Sequence, residues 1–251
     1  MSHPEQREFV RLAYQALPAD LLEGKVLEVG SYDVNGTIRE IFAKATEYVG
    51  VDISEGPSVD LVCFGHDISL PDNSFNVSLS FNCFEHDTYW AQTFKNMVRL
   101  TAPGGAVIFT CPSKGFPEHG TRRSDPDLSP GNQSVGLDYY RNLSEADFMA
   151  VCNLGEIFMQ YKFWNLASSC DLFFIGQISD ESANSRFFQL PTDVAIYALN
   201  DLMPLSHRVA RIPLRFASRL LPEPAFQTFA SRYWKYLNRM QRSMVSNRFA
   251  R

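Results

Sequence analysis

The chain has 251 residues, 45% hydrophobic and 20% charged, the composition of an ordinary soluble globular protein with length enough for one sizeable core. The net charge is −5, and residues 201 to 251 carry +8 of it (ten Arg or Lys against Asp201 and Glu223), leaving −13 on an acidic body that argues against nucleic acid as a partner. No apolar run approaches the roughly 18 residues of a membrane span, the opening residues are too polar for a secretory signal, and Cys63, Cys83, Cys111, Cys152 and Cys170 lie at no metal-ligand spacing, so a cytoplasmic protein with reduced thiols and no metal is expected.

Phe9, Leu12, Ala13, Ala16 and Leu17 recur at helical spacing, which predicts an amphipathic helix over residues 5 to 17, ended near Pro18, on one edge of a sheet. Val26, Leu27 and Val29 form a short buried strand that Gly30 stops where backbone can approach a ligand. Asn35 and Gly36 tolerate a sharp turn, Thr37 opens a helix to about Ala43, and a second strand ends at Asp52, whose carboxylate can accept from both hydroxyls of a ribose. A dinucleotide fingerprint needs glycines where Tyr32 and Asn35 stand. Glu28 at the strand tip also repels pyrophosphate and welcomes a cationic ligand. S-adenosylmethionine, with its ammonium and sulfonium, fits that demand, and an NAD-dependent enzyme is the competing reading.

Leu27 to Gly30, Gly50 to Asp52 and Pro103 to Gly105 together resemble the class I S-adenosylmethionine-dependent methyltransferases over residues 25 to 180, and His119 to Thr121 with Tyr139 to Asn142 are similar to bacterial small-molecule or glycan methyltransferases. The resemblance implies an α/β, Rossmann-like doubly wound sheet with a terminal β-hairpin. It implies a cofactor site built by Glu28, Gly30, Ser31, Asn35, Gly36, Asp52 and Ile53. Asp67 would accept from the adenine amino group and Ile68 would flank the ring, while Phe81 and Asn82 would face the methionine end. Ser31 to Asn35, lying between Gly30 and Gly36, depart from the family's usual Gly-x-Gly-x-Gly.

Further strands are expected at 59–62, 76–81 and 106–110, with a helix from Thr88 to Leu100 that opens after Glu85, His86 and Asp87. Residues 111 to 142 carry four prolines and four glycines, so no regular element persists, and a loop of that length leaving a strand's carboxyl end is placed to act as a substrate lid. Within it His119 is the candidate base for an alcohol acceptor, with His86 in reserve. Arg122, Arg123 and Arg141 are candidates to hold a substrate carboxylate or phosphate, and Tyr139 and Tyr140 to stack on a sugar or aromatic ring. The rival is a self-packed loop whose arginines pair with Asp125, Asp127 and Asp138.

Ser144 reads as a helix cap, and two β-rich runs at 156–164 and 170–179 as the closing hairpin. Beyond Pro191 the pattern is helical. Arg208, Arg211, Arg215 and Arg219 share one face and Val209, Ile212, Phe216 and Leu220 another, open either to solvent or to a peripheral membrane surface or anionic partner. These features divide the chain into a cofactor-binding domain at 1–185 and a basic helical extension at 186–251. The expected activity is O-methylation of a small molecule or saccharide precursor; the alternative is a non-catalytic adenosine-ligand-binding or scaffold protein of the same fold.

Overall fold

The computed structural model describes residues 4–34, 36–181 and 187–249, with side chains of the last helix as far as residue 236. Asn35, and the side chains of Arg239, Arg242, Arg248 and Arg251, lie outside the described residues. One sheet holds β1 (Lys25–Val29), β2 (Glu47–Asp52), β3 (Leu61–Val62), β4 (Phe75–Phe81), β5 (Thr101–Pro112), β6 (Phe158–Leu166) and β7 (Asp171–Ile178), in the order β3-β2-β1-β4-β5-β7-β6. Neighbours from β3 through β5 run parallel. The final hairpin is inserted with β7 antiparallel to β5, and β6 lies antiparallel outside it.

Among the described residues the helices are α1 (Pro4–Ala16), α2 (Ala19–Leu22), α3 (Trp90–Leu100), α4 (Pro130–Ser134), α5 (Glu145–Val151), α6 (Leu154–Ile157), α7 (Asp193–Ala198), α8 (Leu205–Ala210), α9 (Ile212–Leu220) and α10 (Glu223–Phe249). None is long and apolar enough to cross a membrane.

Strand periodicity divides the apolar residues between two cores, one on each side of the sheet. Val26, Ile108 and Phe173 enter the core that contains Phe9 and Val10 of α1. Their neighbours Leu27, Phe109 and Phe174 enter the opposite core, against Phe94 of α3 and Phe148 of α5. Phe109 stacks between Phe148 and Phe174, with ring centroids at 4.5 and 4.7 Å. Both faces being covered is why β1 reads as an unbroken apolar run interrupted only by Glu28.

Two local expectations are corrected. The helix expected from Thr37 to Ala43 is a single 3-10 turn, Arg39–Phe42, because one turn already buries Ile38 and Phe42. The expected division after residue 185 would cut the first core, since Phe188, Ile196 and Leu199 pack in it beside α1.

The C-terminal arginines also behave differently from a solvated or anion-seeking stripe. Arg208 pairs with Asp201 at 2.8 Å, Arg215 donates to the Ala167 carbonyl at 3.1 Å, and Arg211 is buried, donating to the Ser169 carbonyl at 2.8 Å. The Arg211 guanidinium lies over Phe116 and Trp234, 5.3 and 5.4 Å from their ring centroids. Meanwhile Val209, Ile212, Phe216 and Leu220 are the exposed face. The helices are thus held to the sheet by charge-assisted hydrogen bonds, which are stronger than neutral ones. Arg211→Ala is expected to cost about 2–3 kcal/mol and to raise amide exchange in 113–143 and 205–236 while β1 and β4 stay protected; uniform exchange across the chain would refute a local anchoring role.

Candidate cofactor and acceptor site

The strand order reverses between β1 and β4, and a cavity opens over their carboxyl ends, where an open parallel sheet leaves its crevice. Gly30 ends β1 with φ +83°, and a Cβ there would stand 2.4 Å from the Cys83 Cβ. Only glycine fits on both counts. Glu28, Gly30, Ser31, Gly36, Asp52, Ile53, Phe81 and Asn82, all expected to bind cofactor, line this cavity.

Their chemistry is mostly that of buried acceptors. Glu28 is buried and accepts from the Tyr48 hydroxyl at 2.7 Å; burial, against the pull of that bond and of Arg39, raises its carboxyl to about 7. Asp52 ends β2 and accepts from the backbone N–H of Tyr32 at 3.2 Å and of Ser54 at 3.4 Å, and burial raises it too. The Ser31 hydroxyl is buried with no hydrogen-bond partner among the described residues, and the Gly36 N–H donates to Asp33 at 2.6 Å.

Two expectations at the adenine end fail geometrically. Asp67 is exposed, 3.5 Å from the His66 imidazole, and Ile68 is buried in the second core. The 3-10 turn Gly65–Asp67, tied down by Asn96 donating to the Gly65 carbonyl at 2.8 Å, instead turns Cys63, Phe64 and Gly65 to the cavity. Gln6 of α1 also lines it, and donates to Thr110 at 2.8 Å. A buried polar residue one position off the apolar stripe of the first helix was the available signal for Gln6.

The lid descends from β5 and crosses the cavity at Ser129, Pro130, Gly131 and Asn132. A Cβ on Gly131 would come 3.0 Å from Asp52 Oδ1, so the lid lies directly on the Asp52 carboxylate. Asn132 donates to the His86 carbonyl at 2.8 Å. The C-terminal helices brace the lid from outside: Gln227 accepts from Glu118 N–H at 2.7 Å and donates to the Phe116 carbonyl at 3.1 Å, and Glu223 accepts from Asn142 at 3.1 Å.

The two expected bases meet each other, and of the two only His86 lines the cavity. His86, in the 3-10 turn Phe84–His86 after β4, lines the cavity, and burial lowers its imidazole to about 4. His119 comes from the lid to place Nε2 3.4 Å from His86 Nε2. Glu85, which the sequence reading passed over, lies fully buried behind them with Oε1 3.8 Å from His86 Nε2 and 3.9 Å from His119 Nε2. Burial raises its carboxyl to about 8. Tyr140 packs on both imidazoles, with centroids 5.5 and 5.0 Å away, and its hydroxyl donates to Asn142 at 2.9 Å.

The lid arginines do not reach the cavity. Arg122 is exposed, and its backbone N–H donates to Asp138 at 2.9 Å. Arg123 pairs with Glu118 at 3.0 Å, and Arg141 pairs with Asp147 beside the Trp90 ring. Tyr139 is half-buried outside the lining residues. Arg123 and Arg141 thus pair within the chain, but with Glu118 and Asp147 and not with the expected Asp125, Asp127 and Asp138.

Residues 27–109 match the methyltransferase domain family. Among solved structures the chain is similar to phosphoethanolamine N-methyltransferase 2 of Haemonchus contortus, described in complex with phosphomonomethylethanolamine and S-adenosylhomocysteine. Identity is 14% and the TM-score 0.50 over 69% of this chain and 52% of that one, so the chain spans about half of that enzyme's length. A putative methyltransferase from Bacillus halodurans is similar at 11% identity and a TM-score of 0.47, over 68% of this chain and 99% of that one. The YcgJ protein from Bacillus subtilis is similar at 18% and 0.45, over 62% and 72%. No curated protein matches the chain.

Because the folded chain holds the Glu28 proton up to about pH 7 whereas the unfolded chain releases it near 4.5, this group's contribution to stability is full below about pH 4.5 and is lost as pH rises toward 7. Glu28→Gln is therefore expected to stabilise the ligand-free protein by up to about 3 kcal/mol at pH 8 and to leave it unchanged at pH 4. Urea denaturation at the two pH values decides it, and equal effects at both would remove burial as the cause.

Proposed function

We propose that the chain transfers the methyl group of S-adenosylmethionine to an oxygen of a small molecule or saccharide precursor. The observation that carries this reading is the Glu85, His86 and His119 cluster, which adjoins the cavity over β1 and β4 through the lining residue His86. In the reaction the acceptor oxygen attacks the methyl carbon as the carbon–sulfur bond breaks, its electron pair going to sulfur, and the hydroxyl proton must leave. Sulfonium is already a good leaving group, so the protein's work is alignment, exclusion of water and activation of the hydroxyl.

Each part of the cofactor has a fitting counterpart. Glu28 matches the ammonium, Asp52 the ribose hydroxyls, and Cys63, Phe64 and Gly65 form the wall we assign to adenine. The lid over Asp52 excludes water from the transfer. Of the two imidazoles, His86 is a poor proton acceptor at about 4, which leaves His119 as the member of the cluster that meets the acceptor. We assign the chain to the cytoplasm, the compartment its five free cysteines suit.

Asp52→Ala is expected to weaken S-adenosylhomocysteine binding about 100-fold, by the loss of two charge-assisted hydrogen bonds, read by calorimetry; unchanged affinity would sink the ribose assignment. With methyl-labelled S-adenosylmethionine and a panel of nucleotide sugars and hydroxy acids, His119→Ala is expected to lower turnover at least about 100-fold at unchanged cofactor affinity. Cofactor binding without transfer to any acceptor or cell extract would favour the scaffold reading, and protection against heating by NAD alone would favour the dehydrogenase.

A further inference from the structure

The cysteine spacing pointed away from a metal, but the fold assembles ligands that the linear sequence keeps apart. We propose that Glu85 Oε1, His86 Nε2 and His119 Nε2 are the three protein ligands of a divalent transition-metal ion of the zinc class, whose fourth position faces the cavity. The role we give that position, holding the acceptor's oxygen, rests on the methyl-transfer reading; the metal site itself does not.

The first support is metrical. The three edges of the triangle are 3.4, 3.8 and 3.9 Å. An ion bonded to nitrogen and oxygen at about 2.0–2.2 Å spreads tetrahedral ligands roughly 3.3–3.6 Å apart, and slightly further as it flattens toward their plane. The observed triangle matches that range, whereas 3.8 and 3.9 Å are too long for imidazole–carboxylate hydrogen bonds. The second support is polar accounting. Glu85 is fully buried, and neither carboxylate oxygen has a hydrogen-bond partner among the described residues. A carboxylate in that position is compensated by a cation, and the two imidazole nitrogens that approach it from one side complete a coordination set.

The surroundings are also built as ligand supports are. His119 Nδ1 lies 3.4 Å from the Pro117 carbonyl, a contact that favours the tautomer with the lone pair on Nε2. The backbone of the Glu85 turn is held by Arg141 N–H donating to the Glu85 carbonyl at 2.9 Å and by Asn132 on the His86 carbonyl. Gly120 lets the lid come close: a Cβ there would stand 2.7 Å from His86 Cε1. Two imidazoles and one carboxylate select a zinc-like ion over magnesium or calcium, which take oxygen ligands. Three protein ligands leave a position open, and a hydroxyl bound there is acidified by the ion.

The test uses the full-length protein, stripped with chelator and dialysed against zinc chloride, with zinc read by mass spectrometry and affinity by competition with a chromophoric chelator. One zinc per chain is expected, with His119→Ala and the isosteric Glu85→Gln each weakening it at least about 100-fold, beyond the loss typical of an outer-shell partner, and with the exposed His207→Ala unchanged. Cobalt loading should give the visible absorption of a four-coordinate site. Less than a tenth of an equivalent of zinc, or His119→Ala and His207→Ala binding it equally, overturns the site; His119→Ala carries the test should Glu85→Gln fail to fold. S-adenosylhomocysteine titrated into the same samples separates the two proposals. Cofactor binding without zinc defeats the metal site alone, and zinc binding without the cofactor supports it while defeating the methyl-transfer reading.

Discussion

The contact on which everything else depends is the approach of Gly30 to Cys83. Two parallel strands side by side cannot both continue into loops over the same ground, so β1 and β4 send their chains to opposite sides and a gap opens between them. At that gap the backbone of Gly30 fits only because it lacks a side chain, with no room for a Cβ beside Cys83 and a φ that other residues avoid. From the one side follow Ser31 and the loop to Gly36. From the other follow Cys83 and, within three residues, Glu85 and His86. The cavity over β1 and the Glu85, His86 and His119 cluster are therefore neighbours by topology.

The lid completes the site from a distance in sequence and is itself held from further away. Its carbonyl at Phe116 and N–H at Glu118 are satisfied by Gln227 of α10, and its Phe116 ring lies under the Arg211 guanidinium. Backbone polar groups in a loop that lacks regular structure need such partners. The same demand explains why Arg215 and Arg211 turn inward: the carbonyls of Ala167 and Ser169, at the turn between β6 and β7, accept from them.

Features set by local physics were legible in the sequence. The strands were visible because alternation about a two-sided sheet leaves continuous apolar runs such as Val26 to Val29 and Ala106 to Phe109. Gly30 and Asp52 were visible because a strand end next to a ligand restricts residue type. What failed were features decided by turn register or by contact at long range. A 3-10 turn pinned by Asn96 moved the cavity wall from Asp67 and Ile68 back to Phe64 and Gly65. The helix face bearing Val209, Ile212, Phe216 and Leu220 was read correctly as apolar, but its orientation was fixed by Arg211 meeting Ser169. Likewise no spacing rule links Glu85 to His119, because the loop between them closes only in the fold.

The buried acids show how the site is poised for cationic chemistry. Glu28, Glu85 and Asp171 are all nearly inaccessible, and burial lifts each of them, to about 7, about 8 and about 7. A carboxyl in such surroundings has a choice between holding a proton and holding a cation, and the second is the better-paired state once a cation of the right size is present. Glu28 lines the cavity from β1, and Glu85 lies buried behind the lining residue His86 in the turn after β4. Asp171, whose neighbouring cation is Arg211, already has its partner in the chain. Glu28 already has the Tyr48 hydroxyl and the Arg39 guanidinium near it, so a cationic ligand there adds to partners the chain supplies, whereas neither Glu85 oxygen has a hydrogen-bond partner among the described residues, which is why the proposed ion falls to it.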